Sequence, residues 1–180
     1  NALIVVDMQR GFMSPEGSLY CGEAARAIIP GIQKLAAREA AAGSLVVFTV
    51  DTHAPDDKEF AMFPPHCVAG TPDTEIIPEL AGLARQHTIL PKRRYSAFFE
   101  TDLADRLADF QPEKVIVVGD CTDICVLHTV ADLRNRDYPV WVPADLVASF
   151  DADAHAWALR HLKSILGART DPAGPMADSQ

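Results

Sequence analysis

The sequence predicts a doubly wound α/β chain, a three-layer α/β/α sandwich around a mostly parallel sheet of five or six strands. Three observations carry this expectation. The chain has 180 residues, 48% of them hydrophobic, which is the size and apolar share of one globular domain. Its β-branched apolar runs are short and lack polar alternation, as strands covered on both faces do. Between those runs lie longer segments of helical spacing, so strands and helices alternate.

The strand runs are residues 3–6, 45–50, 88–90, 115–118 and 140–142. Residues 23–42 read as an Ala-rich helix that Gly43 stops and Pro30 bends or splits. Residues 101–110 place Leu103, Leu107 and Phe110 on one helical face, and residues 124–136 and 153–166 read as two further helices. One domain is therefore expected over residues 1–168. Residues 169–180 form a tail with few apolar side chains, expected to be loose or an oligomer contact. The stretch from Asp51 to Leu80 shows no strand pattern but holds five prolines among clustered Asp, His and Glu. Loops of that length in a compact domain tend to be functional.

Composition excludes several classes. The formal charge is −9, from 25 acidic and 16 basic side chains, with no basic stripe to follow a nucleic acid. No apolar run is long enough to span a membrane. Residues 1–7 lack the basic start and small-residue cleavage site of a signal peptide. Four cysteines without a secretory signal read as thiols of a cytoplasmic protein rather than a disulfide framework.

Open α/β sheets bind ligands outside the carboxyl ends of their strands. Asp7 ends the first run, Asp51 the second, Lys92 follows the third and Gly119-Asp120 the fourth, with Cys125 where the next helix begins. A single Asp there is ordinarily a turn cap, but four such strand ends on one rim indicate a site. Cys125 has two readings. It is either a buried small hydrophobe, or a nucleophile whose thiol the helix N-terminus acidifies. Its C-x-x-x-C spacing from Cys121 is not that of a redox pair. His128, one turn deeper, is read as core. Asp51 and His53, two apart in extended chain, can converge on one point. With Glu59 and His66 they are either solvated loop residues or ligands for Zn²⁺, Fe²⁺ or Mn²⁺.

Taken together, Asp7-x-Gln9, Asp51-x-His53, Phe63-Pro-Pro-His66, residues 92–98 (Lys-Arg-Arg-Tyr-Ser-Ala-Phe) and residues 122–128 (Thr-Asp-Ile-Cys-Val-Leu-His) resemble nicotinamidases. These enzymes, also pyrazinamidases, belong to the isochorismatase-like cysteine hydrolases, and the resemblance runs from about residue 3 to Ala168. It implies a catalytic triad of Asp7, Lys92 and Cys125, and an oxyanion hole from the backbone N–H groups of Cys121 and Cys125. It also implies a cis peptide at Asp120–Cys121. The implied metal ligands are Asp51, His53, His66 and Glu59, holding one divalent ion, zinc foremost, that orients the substrate ring. Phe12, Phe63 and Tyr95 are the implied aromatic walls, with Trp141 a further candidate; for Phe12 and Phe63 core packing is the competing reading. The implied partner is the small molecule nicotinamide, with a homo-oligomer as a further possibility. Two other functions stay open. One is amide hydrolysis of an N-carbamoyl or ureido substrate by a relative without the full metal cluster. The other is a non-catalytic thiol module switched by Cys121 and Cys125.

Overall fold

In the computed structural model, which describes residues 1–174, every strand pairing is parallel. The strands are β1 (Ala2–Val6), β2 (Leu45–Asp51), β3 (Thr88–Lys92), β4 (Val115–Asp120), β5 (Val140–Trp141) and β6 (Val147–Ala148). They lie in the order β3-β2-β1-β4-β5, with β6 paired to the carboxyl end of β4 through Gly119↔Val147 and Asp120↔Ala148. Side chains alternate between two cores because successive residues of a strand face opposite ways. Leu3, Val5, Val46, Phe48, Ile116 and Val118 enter one core, while Ala2, Ile4, Val6, Val47, Val115 and Val117 enter the other. Both sets are apolar, hence the unbroken hydrophobic runs.

The first core is closed by α1 (Arg10–Met13), α2 (Glu23–Ala27), α3 (Ile29–Ala41) and α4 (Pro78–Ala84), which contribute Phe12, Ala25, Ile32, Leu35 and Leu80. The second is closed by α5 (Leu103–Phe110), α6 (Leu127–Arg134) and α7 (Ala152–Ser164), through Leu103, Leu107, Val130, Leu133 and Leu162. Pro30 splits the expected 23–42 helix, standing in the first turn of α3 where its missing N–H breaks no helical bond. Phe110 departs from expectation. It is 41% exposed, because α5 ends there and Gln111 turns left-handed. The tail also departs in part. Arg169 N–H donates to Val140 and Val142 N–H to Arg169, while Ala173 N–H donates to Asp145, so the described part of the tail is tied down. Residues 175–180 lie outside the described residues.

Strand order reverses direction between β1 and β4. That switch point opens a crevice at their carboxyl ends, and the site lies there.

Candidate active site

β1 delivers Asp7 into the crevice, β3 delivers Lys92, and the π-helical turn Thr122–Val126 after β4 delivers Cys125. All three side chains are buried. Lys92 Nζ stands 2.7 Å from Asp7 Oδ2, 3.2 Å from Asp51 Oδ1 and 3.5 Å from Cys125 Sγ. Thr49 on β2 fixes the other Asp7 oxygen by donating to Oδ1 at 2.6 Å. Gly119 lets β4 come this close to β1: it has φ +113°, and a Cβ there would meet Val6 O at 2.1 Å. The next peptide, Asp120–Cys121, is cis.

Electrostatics assigns the protons. Burial works against the Lys92 charge, but Asp7, Cys125 and Asp51 outweigh it and hold the ammonium firmly protonated. Burial raises the Asp7 carboxyl above its ordinary range even though Lys92 opposes it, making it a stronger base than a free aspartate. Burial also pushes the Cys125 thiol up, with Lys92 opposing and Asp7 and Asp51 adding to the rise. Burial thus works against the acidification that one of the two readings of Cys125 assigned to the helix end.

A second cluster adjoins the first. Asp51 Oδ2 lies 2.9 Å from His53 Nε2 and 3.4 Å from His66 Nε2, while Glu59 Oε1 lies 3.9 Å and 4.0 Å from the same two nitrogens. One donor atom from each of these four buried residues falls within 4.8 Å of the others. Supporting contacts orient them: His66 Nδ1 lies 2.8 Å from Pro64 O, and His53 Nδ1 lies 3.1 Å from Asp57 Oδ2. Arg94 grips Asp57 with bonds of 2.9 and 3.0 Å. Such outer partners turn the remaining imidazole nitrogen toward a metal. Glu59 Oε2 is buried with no hydrogen-bond partner, although burial and Asp51 raise its carboxyl. Two imidazoles and two carboxylates at this spacing fit one divalent ion.

Between the clusters opens a partly enclosed cavity that reaches Asp7, Asp51, Cys121 and Cys125. Its walls include Phe12, Phe63 and Tyr95. Phe12 lies 5.7 Å from the His66 ring, and Phe63 stands nearly perpendicular to Tyr95 at 6.5 Å. Trp141 is no wall: it sits at β5 between Lys114 and Arg169, its indole donating to Asp171 O at 2.9 Å. His128 is no core residue either. It is exposed, 5.3 Å from the Tyr95 ring, because the wide turn at Thr122–Val126 shifts the helical register after Cys125. Leu19, Ile124, Phe150 and Asp120 also line the cavity. Phe150 went unseen because β6, two residues long, gives no pattern from which to expect a strand end.

A parallel α/β sheet with a buried acid, amine and thiol at its switch point defines a hydrolytic enzyme class, and the comparisons place the chain within it. Residues 1–173 match the model of the Isochorismatase domain. The crystal structure of nicotinamidase PncA from Bacillus subtilis superposes with a TM-score of 0.90 at 39% identity, covering 94% of this chain and 98% of that one. Pyrazinamidase of Pyrococcus horikoshii in complex with zinc gives 0.85 at 32% identity, covering 95% and 98%. N-carbamoylsarcosine amidase from Thermoplasma acidophilum gives 0.84 at 30% identity, covering 98% of each. The chain belongs to the isochorismatase family, and within it to the amidohydrolases. That sets aside the non-catalytic thiol module, and the sulfur nearest Cys121 is that of Cys21, not Cys125. Among the described residues no helix is long and apolar enough to cross a membrane.

Proposed function

We propose that the protein is a nicotinamidase, hydrolysing nicotinamide to nicotinate and ammonia, with pyrazinamide as a side substrate. The observation that carries this reading is the junction of two clusters on one aromatic-walled cavity: Asp7, Lys92 and Cys125 beside Asp51, His53, Glu59 and His66. A flat neutral heteroaromatic amide suits such a slot. The nicotinamidase and pyrazinamidase likenesses support it, and the zinc in the Pyrococcus horikoshii structure supports zinc as the ion.

In this reading Asp7 takes the Cys125 proton, and the thiolate attacks the carboxamide carbon. Lys92 balances the charge through its contacts to Asp7 and Cys125. The N–H groups of Cys121 and Cys125 hold the oxyanion. Asp7 returns its proton to the departing nitrogen, ammonia leaves, and a thioester remains. Water then attacks the thioester carbonyl with Asp7 again as base, releasing the carboxylic acid and restoring the thiol. Asp51, His53, Glu59 and His66 would hold the metal ion, which when bound supplies a Lewis-acid anchor for the ring nitrogen. Phe12, Phe63 and Tyr95 set the plane of the ring.

A second reading, an amidase for N-carbamoyl substrates, is favoured by the Thermoplasma acidophilum likeness. Ammonia release by the metal-loaded protein separates the two. The nicotinamidase reading expects nicotinamide to exceed every ureido amide in kcat/KM by at least tenfold; a ureido amide turned over faster overturns it.

A further inference from the structure

Beside the cavity, apart from the four-donor cluster, three other buried groups converge. Cys121, the residue after β4, places its sulfur 3.4 Å from that of Cys21, which precedes α2. One carboxylate oxygen of Asp120 lies within 4.8 Å of both sulfurs. Asp120 is 1% exposed, and neither of its oxygens has a hydrogen-bond partner. The same is true of the nearby Ser149 hydroxyl. A buried carboxyl without a hydrogen-bond partner is costly, and a bound cation would offset that cost. The reaction described above uses none of these three side chains.

We propose that Cys21, Asp120 and Cys121 form a second metal site, selective for a thiophilic divalent cation such as zinc, cobalt or cadmium. Two thiolates bound at about 2.3 Å in tetrahedral geometry stand about 3.8 Å apart, so the sulfurs need separate by only a few tenths of an ångström. The soft donors exclude magnesium and calcium as occupants. Entry is available because Asp120 and Cys121 line the cavity, whereas Cys21 lies behind them. Binding displaces the thiol protons to solvent, and the two thiolates and the Asp120 carboxylate supply the three ligands.

An occupied site would tie the segment before α2 to the turn that presents the Cys121 N–H. It shares no ligand with the four-donor cluster and does not depend on which amide is the substrate.

Cobalt titration of the metal-free, reduced, full chain tests this. Two equivalents should bind. Asp51, His53, Glu59 and His66 offer only nitrogen and oxygen, so thiolate-to-cobalt charge-transfer absorption should belong to one equivalent alone. Cys21→Ser should lose that absorption and one equivalent, while the other equivalent binds as before. Asp120→Asn, the same shape without the charge, should weaken the sulfur-ligated equivalent at least tenfold. Cys125→Ala should keep the absorption, which excludes the nucleophile as its source. Should Cys21→Ser fail to fold by circular dichroism, the wild-type absorption, Cys125→Ala and Asp120→Asn still decide. Saturation without any thiolate-to-cobalt absorption, absorption that survives Cys21→Ser, absorption lost in Cys125→Ala, or unchanged affinity in Asp120→Asn overturns the proposal.

Discussion

Removing one sulfur atom should silence the enzyme without emptying its cavity. Cys125→Ala deletes the nucleophile but leaves Phe12, Phe63, Tyr95 and the four-donor cluster untouched, so nicotinamide should still bind by calorimetry while turnover falls at least a thousandfold. Asp7→Asn keeps the shape but cannot accept the thiol proton, so the loss should fall on kcat; a change confined to KM would remove Asp7 from the role of base. Arg94→Ala acts at one remove. Arg94 holds Asp57, which stands 3.1 Å from His53 Nδ1, so the imidazole loses its brace and metal affinity should drop about 10–100-fold. Equilibrium dialysis against zinc measures it. Residues at strand ends were legible in the sequence because four such ends fall on one rim, where open α/β sheets bind ligands. Asp120 was legible only as a strand end, since its membership of the cavity wall depends on which face of β4 it occupies.

At the scale of elements, Gly119 is the tightest point. An alanine there would carry its Cβ to 2.1 Å from Val6 O in a left-handed-side backbone conformation, so β4 must retreat from β1 or unpair. Gly119→Ala should lose activity and lower the melting temperature together, as a combined assay and thermal scan would register. Leu107 is fully buried under α5, and Leu107→Ala should cost about 2–5 kcal/mol in denaturant unfolding with the active site intact. The longer strands could be read from their apolar runs because both faces of β1, β2 and β4 are covered. β6 and α4 could not: two residues carry no period, and Pro78–Ala84 follows directly on the proline-rich loop. Phe110 misled because spacing does not say where a helix outruns the sheet beneath it.

For the molecule as a whole, the two hydrophobic cores are complete without the metal, so stripping the ion should cost substrate affinity far more than stability. Benzamide, which lacks the ring nitrogen, should be a poor substrate whose slight turnover barely changes on metal removal. If metal-free protein hydrolyses nicotinamide as fast as the loaded form, the four-donor cluster is not an anchor. Part of the stability at neutral pH has a separate source at the opposite end of the sheet. Burial opposes the Glu39 charge, but hydrogen bonds from Asn1, Ser44 and Arg38 outweigh it and lower the carboxyl below its ordinary value. A lowered folded value means stabilisation that is full above the unfolded carboxylate range and lost as pH falls through it. Glu39→Gln should therefore destabilise at neutral pH and narrow its gap to the wild type in acid, seen in unfolding curves across that range.

The thiol has a chaperoning consequence through its distant neighbours. Lys92 is 33 residues from Cys125 in the chain, and Thr49 is 42 from Asp7, so no local segment contains the reactive group. Bringing those ends together costs loop-closure entropy that only the assembled sheet repays. An emerging or partly unfolded chain therefore carries an ordinary cysteine rather than a hydrolase. During refolding, amide hydrolysis should return in step with the slowest global signal and show no fraction that runs ahead of it.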